Sequence, residues 1–145
     1  VFLGVKHATR AMKPGGISGR GGSIINMASI CAMVALRGAG VYSAAKAAIT
    51  NLTKIAAVEC GQNGYGIRVN SIHPGATRTT MAAQPDVEAV MAASVRSLAI
   101  PRIAEPEELT RLVLFVASDE ASFSTGSEFI ADGGALLGPV PDANS

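Results

Sequence analysis

The stretch 23–46, S-I-I-N-M-A-S-I-C-A-M-V-A-L-R-G-A-G-V-Y-S-A-A-K, decides the fold. Its opening residues, Ser23 to Ala28, are short and apolar, the pattern of a buried parallel strand. Ser29 to Gly40 is rich in small residues and reads as a loop leaving the carboxyl end of that strand. Val41 then opens the longest helical pattern of the chain, running to Gln62. Val41, Ala45, Ala48, Ile49, Leu52, Ile55 and Ala56 recur at helical spacing and are expected to form its buried stripe. Tyr42 and Lys46 stand four apart, which stacks them on one helix face. A phenol and an ammonium so placed form an acid–base pair, because the cation favours the phenolate. Ser29 lies thirteen residues before Tyr42.

The flanks extend the same alternation. Upstream, Val1 to Lys13 reads as a helix with Val1, Val5, Ala8 and Met12 on one side, stopped by Pro14-Gly15-Gly16. A Gly-rich loop, 17–22, leads into the first strand. Downstream, Asn63 to Gly66 is a turn, and Ile67 to His73 (I-R-V-N-S-I-H) alternates and is β-branched, hence a strand. Pro74-Gly75 ends it. A loop from Thr77 to Pro85 and a helix from Asp86 to Ala99 follow. Pro106 occupies a first helical position with Glu107 and Glu108 behind it, suiting the helix dipole. Leu109, Leu112, Val113 and Val116 form the apolar stripe of that helix, and 118–126 reads as a polar loop. Ser127 to Ala131 is a last strand, turned by Asp132-Gly133-Gly134, and the Pro-rich tail from Pro139 to Ser145 is expected to be loose at its end.

Strands and helices in alternation specify an α/β fold with a parallel sheet, three strands flanked by helices. Right-handed crossovers would place helices on both faces. Ligands of such sheets gather at the carboxyl ends of the strands. Ser29, Pro74-Gly75 and Asp132-Gly133 all fall at such ends.

Composition narrows the partners. The 145 residues amount to one domain at most, and at 48% hydrophobic they can bury a core. Twelve basic against eleven acidic residues and 4% aromatics leave no footprint for nucleic acid. No apolar run approaches a membrane span. Cys31 and Cys60 give no disulfide framework, and with no signal peptide visible a cytoplasmic location is the default expectation. Two histidines without a ligand cluster point away from a metal site.

Several motifs together carry a resemblance: S-I-I-N-M-A-S; then Y-S-A-A-K; then G-I-R-V-N-S-I-H-P-G-A-T-R-T; then P-R-I-A-E-P-E-E-L and S-E-F-I-A-D-G-G. In this order and spacing they resemble the C-terminal half of a short-chain dehydrogenase/reductase, a Rossmann-like doubly wound sheet, over nearly the whole chain, from Val1 to about Gly138. The resemblance implies an NAD- or NADP-dependent oxidoreductase that interconverts a secondary alcohol and a ketone. Tyr42 would be the general acid/base. Lys46 would lower the Tyr42 pKa and bind the nicotinamide ribose. Ser29 would orient the substrate oxygen. Pro74, Gly75, Thr77 and Thr79 would lie along the nicotinamide end of the cofactor, with Thr77 standing where the family usually has Val or Ile. Asn70 matches a structural strand Asn, and His73 is expected to be a strand-end residue.

The same resemblance marks departures. The family's T-G-x-x-x-G-x-G fingerprint and N-N-A-G strand end are not in these residues. The 145 residues are therefore expected to be a partial domain that begins inside a helix, with the adenosine and pyrophosphate sites supplied elsewhere and the edge of the first strand left open. A non-catalytic homologue that only associates, and an isomerase or lyase of the extended family, are the alternatives. The second is disfavoured by the short segment after Gly75, and an enoyl reductase by the close Tyr–Lys spacing. I-H-P-G and D-G-G lean toward hydroxysteroid and cyclic-alcohol dehydrogenases, and Met81, Val87, Val90, Met91, Val95 and Leu98 would give an apolar lid. The small-residue helices Val1–Lys13 and Val41–Gln62 are those the family uses in a four-helix interface, so a homodimer or homotetramer is expected.

Overall fold

The computed structural model describes residues 1–139, apart from the side chain of Met81; most of the Pro-rich tail lies outside the described residues. The chain runs α1 (Phe2–Met12), β1 (Gly22–Met27), α2 (Gly40–Gln62), β2 (Ile67–Pro74), α3 (Pro85–Ser94), α4 (Pro106–Ala117) and β3 (Glu128–Ala131). The three strands form one parallel sheet in the order β1-β2-β3. Each pair of neighbours is joined through helix, as parallel pairing requires. Register sets Gly22 against Ile67 and Met27 against Ile72, then Ser71 against Glu128 and Pro74 against Ala131.

Helices cover both faces. Ile24, Ile67 and Val69 point to the α1–α2 side and pack with Val5, Ala56, Ala57 and Cys60. Ile72 points the other way, against Leu109 and Val116 of α4, with Ile25 and Phe129 around them. The central strand is thus apolar on both sides, and Val69, Asn70, Ile72 and His73 are fully buried. Asn70 is satisfied by the backbone: its amide donates to Ser124 O at 2.8 Å and its Oδ1 accepts from Ser127 N at 3.0 Å, stitching β2 to the entry of β3. That is the structural part expected of it.

The expected stripe of α2 needs correction. Ala56 is buried and Ile49 and Leu52 are half-buried, but Val41, Ala45, Ala48 and Ile55 face outward. The face that meets the sheet is Thr53, Ala56, Ala57 and Cys60. Small side chains there let the helix lie close on β2, and the Thr53 hydroxyl is satisfied by donating to Ile49 O at 2.8 Å and accepting from Asn26 Nδ2 at 2.9 Å. A polar residue thereby occupies the core without an orphaned group. The segment after α4, expected as plain loop, contains a 3-10 turn at Asp119–Ala121. The helix after β2 is shorter than expected, ending at Ser94. Among the described residues no helix is long and apolar enough to cross a membrane, and none form a group of three or more His, Cys, Asp and Glu that could hold a metal ion.

Candidate active site

The carboxyl end of β1 runs through Ala28, whose N–H donates to Ile72 O at 2.8 Å, into Ser29. Ser29 is extended (φ −171°, ψ 158°) and caps a 3-10 turn, Ile30–Ala32. Its Oγ accepts from Cys31 N at 3.2 Å. That contact uses a lone pair and leaves the hydroxyl hydrogen free to donate. The Ser29 side chain is nearly buried, so a donated hydrogen bond would act in a site largely shielded from water.

Helix α2 packs against this turn. Lys46 reaches from the helix to the end of β1, where its Nζ donates to Met27 O at 3.0 Å. The same Nζ stands 5.5 Å from the centroid of the Tyr42 ring. The helical spacing puts the two side chains on one face, with the ammonium near the Tyr42 ring and anchored on the Met27 carbonyl. One of three ammonium N–H groups is used by Met27, and two remain for other acceptors. Tyr42 is partly exposed, at 41%, so its ring is open to a ligand. Next to it the Ser43 hydroxyl is buried and has no partner among the described residues, a feature the sequence did not announce.

At the end of β2, Pro74 pairs with Ala131 and Gly75 N donates to Ala131 O at 3.0 Å. A Cβ on Gly75 would stand 2.7 Å from Asp132 Cα. Within the chain, the close approach that this glycine permits is to the backbone of the turn after β3. The Asp132 carboxylate holds that turn, accepting from Gly134 N at 2.8 Å and from Leu136 N at 2.9 Å. Thr77 bridges to Ala104 through the groups on either side of it, Ala104 N to Ala76 O at 3.0 Å and Arg78 N to Ala104 O at 2.9 Å. Its own N–H and C=O stay outside the bridge, as a backbone contact to a carboxamide requires. Its hydroxyl donates to Gly75 O at 3.2 Å. Thr79 is exposed, its carbonyl accepting from Ala82 N at 2.9 Å.

Beyond Thr79, Arg78 ties two elements together: Nη1 to Glu88 of α3 at 2.7 Å and Nε to Glu105 at 3.1 Å. Both carboxylates push the Arg78 guanidinium further up, the Glu105 hydrogen bond most. Of the expected lid residues, Val95 is buried, Met91 and Leu98 are half-buried, and Val87 and Val90 are exposed. Ser29, Tyr42 and Lys46 are brought to one strand end. Pro74 to Thr79 leave the neighbouring one.

The residues present fit one end of a dinucleotide. Two free ammonium hydrogens at Lys46 suit ribose hydroxyls, and the unused Thr77 backbone suits a carboxamide. The T-G-x-x-x-G-x-G turn that would hold a pyrophosphate is not in these residues.

Such a site on such a sheet defines a class. A family model described as enoyl-(acyl carrier protein) reductase matches residues 1–135, and the chain belongs to the short-chain dehydrogenase/reductase family, as its motifs had indicated. Among relatives, it is 42% identical over 137 residues to trans-4-hydroxycyclohexanecarboxylate dehydrogenase of Sinomonas cyclohexanicum, covering 94% of this chain and 48% of that protein. It is 42% identical over 138 residues to the 3-alpha-(or 20-beta)-hydroxysteroid dehydrogenase of Mycobacterium bovis, covering 95% and 48%. A short-chain type dehydrogenase/reductase from Mycobacterium marinum superimposes with a TM-score of 0.83 at 37% identity, covering 92% of this chain and 51% of that one. The chain thus spans about half the length of the relatives it matches.

Proposed function

We propose that these residues are the catalytic half of an NAD- or NADP-dependent alcohol dehydrogenase that interconverts a secondary alcohol and a ketone. The observation that supports this reading is the reach of Lys46, beside the Tyr42 ring, from α2 to Met27 O at the end of the strand that runs into Ser29. The nicotinamide supplies the acceptor or donor of hydride when bound. Everything else falls to the chain. Tyr42 takes the hydroxyl proton in oxidation and returns it in reduction, and the Lys46 ammonium stabilises the phenolate that results. Ser29 donates its free hydrogen to the substrate oxygen and so opposes charge building there. Lys46 and the Thr77 backbone hold the ribose and the carboxamide, and Pro74, Gly75 and Thr79 shape the same end.

The substrate is a cyclic or steroid alcohol, a reading supported by the names of the two relatives and by the apolar content of α3 and the segment after it. The residues form part of one Rossmann-like domain of a cytoplasmic homodimer or homotetramer, with no nucleic-acid, membrane or metal partner. Replacing Tyr42 by Phe in the protein produced from its complete gene tests the core of this. Turnover of cyclohexanol should fall by about 100-fold or more, the range of general acid–base catalysis, with the fold unchanged by circular dichroism. Near-normal turnover would remove Tyr42 from the chemistry.

A further inference from the structure

His73 lies one residue before Pro74 and its side chain is completely buried. Its Nδ1 stands 3.0 Å from the carbonyl oxygen of Ser29. A carbonyl oxygen only accepts, so Nδ1 carries the hydrogen and donates it. Nε2 faces Ser71 Oγ at 3.0 Å and Glu128 Oε2 at 3.7 Å. Glu128 is in turn ion-paired with Lys54 of α2. One imidazole therefore joins β2, β3, the helix that carries Tyr42 and Lys46, and the loop that carries Ser29.

An aliphatic side chain could fill this space, but it would take away a partner from both the Ser29 carbonyl and the Ser71 hydroxyl. The ring's partners say what it adds. The Ser29 carbonyl accepts from His73 and from Ala32 N, at 3.0 Å each. The Ser29 hydroxyl is held from the other side by Cys31 N. With the peptide plane and Oγ both held, the point from which the hydroxyl can donate is held with them.

We propose that His73 is the positioning residue of Ser29: its Nδ1–H pins the Ser29 carbonyl and so aims the Ser29 hydroxyl at the substrate oxygen. This rests on the role assigned to Ser29 above. Misplacing a reacting group by a fraction of an ångström to an ångström is enough to cost rate without touching the chemistry directly.

The test uses three replacements that fill the site differently. His73→Asn keeps a donor where Nδ1 stands, His73→Gln offers one only near Nε2, and His73→Leu offers neither. Each is assayed in the protein from its complete gene, with cyclohexanol and with NAD and NADP in turn. In the Leu and Gln variants kcat should fall by about 10-fold, the KM for cofactor staying put, and Asn should restore most of the loss. In a Ser29→Ala background His73→Leu should cost nothing more, because the two residues act as one unit. Unchanged kcat in the Leu or Gln variant, no rescue by Asn, or a full further loss in the Ser29→Ala background overturns the proposal. If His73→Leu does not fold, the Asn–Gln pair decides, and equal turnover of the two overturns it. Should Ser29→Ala itself turn over normally, the reading of Ser29 falls and the proposal with it. Should Ser29→Ala be disabled while Asn fails to rescue, only the proposal falls.

Discussion

Gly75 shows how a single missing side chain holds the site's second wall in place. Its backbone N–H is bound to Ala131 O at 3.0 Å, and its Cα side faces the Asp132 backbone. The turn it touches is braced internally by the Asp132 carboxylate, which accepts from Gly134 N and Leu136 N, and is tied to another segment by Ile100 N, which donates to Gly133 O at 3.0 Å. Gly75→Ala would drive a Cβ to 2.7 Å from Asp132 Cα. The expected result is a loss of about 1–3 kcal/mol of stability, the range for overpacking against a site that cannot yield. Urea unfolding measures it, and an unchanged midpoint would mean that the 132–134 turn moves. The resemblance places this glycine along the nicotinamide end of the cofactor; its contact with the 132–134 turn was not legible, because that partner lies 57 residues away on another strand end. His73 stands near the end of its strand as expected, but its bond to the Ser29 carbonyl becomes visible only when β1 and β2 are side by side.

Helix α4 carries its own acid-sensitive device. Glu105 and Glu108 form a capping box around Pro106. Glu108 also takes a two-pronged hydrogen bond from Arg102, 2.7 Å to each carboxylate oxygen, and one from Glu105 N at 2.9 Å. The Arg102 contact, then the Glu105 N–H, hold the Glu108 carboxyl down at about 2 from an ordinary 4.5. A carboxyl lowered by folding contributes stability that is present above its unfolded value and disappears as pH falls through its folded one. Thermal unfolding of Glu108→Gln should therefore lie below wild type above pH 4.5, with the gap closing as pH falls toward 2. A gap independent of pH would mean that shape, not charge, matters there. The start of this helix was legible in Pro106 and the acidic residues behind it. The face of α2 was not. An alanine-rich helix has several stripes of nearly equal apolarity, so periodicity cannot choose between Val41–Ala45–Ala48 and the Thr53–Ala56–Cys60 face that meets the sheet. The face that meets the sheet is the one whose Thr53 accepts from the buried Asn26 amide and whose Ala56, Ala57 and Cys60 pack with Val5, Ile24 and Val69.

At the scale of the molecule, the outward faces of the first two helices ask for a partner. Val41 is 89% exposed, and Phe2 and Leu3 are 63% exposed each. Ala45, Ala48, Ile55 and Val58 lie outward on α2 as well. A groove of about 510 Å³ runs between α1 and α2, floored by Val5, Ala56 and Cys60 and walled by Phe2, Ile55 and Tyr65. Lys6, Arg10, Lys13 and Glu59 line the same groove, so its apolar residues are rimmed by charge, a pattern that marks protein–protein contact. The small residues of α2 would let a second helix approach closely. β1, for its part, pairs only with β2 among the described residues, so its other edge is open to a further strand. Helix faces call for side-chain burial and the strand edge for backbone pairing, so different surfaces satisfy them. A symmetric pairing of α1 and α2 with their copies would cover the first and leave the second untouched. In sedimentation velocity the protein from its complete gene should run as a dimer or tetramer. Ala48→Arg, which places a charge on the outward face and touches no buried residue, should lower the assembly state while leaving the far-ultraviolet circular dichroism unchanged. A wild-type monomer would assign those exposed faces to contacts within the chain instead.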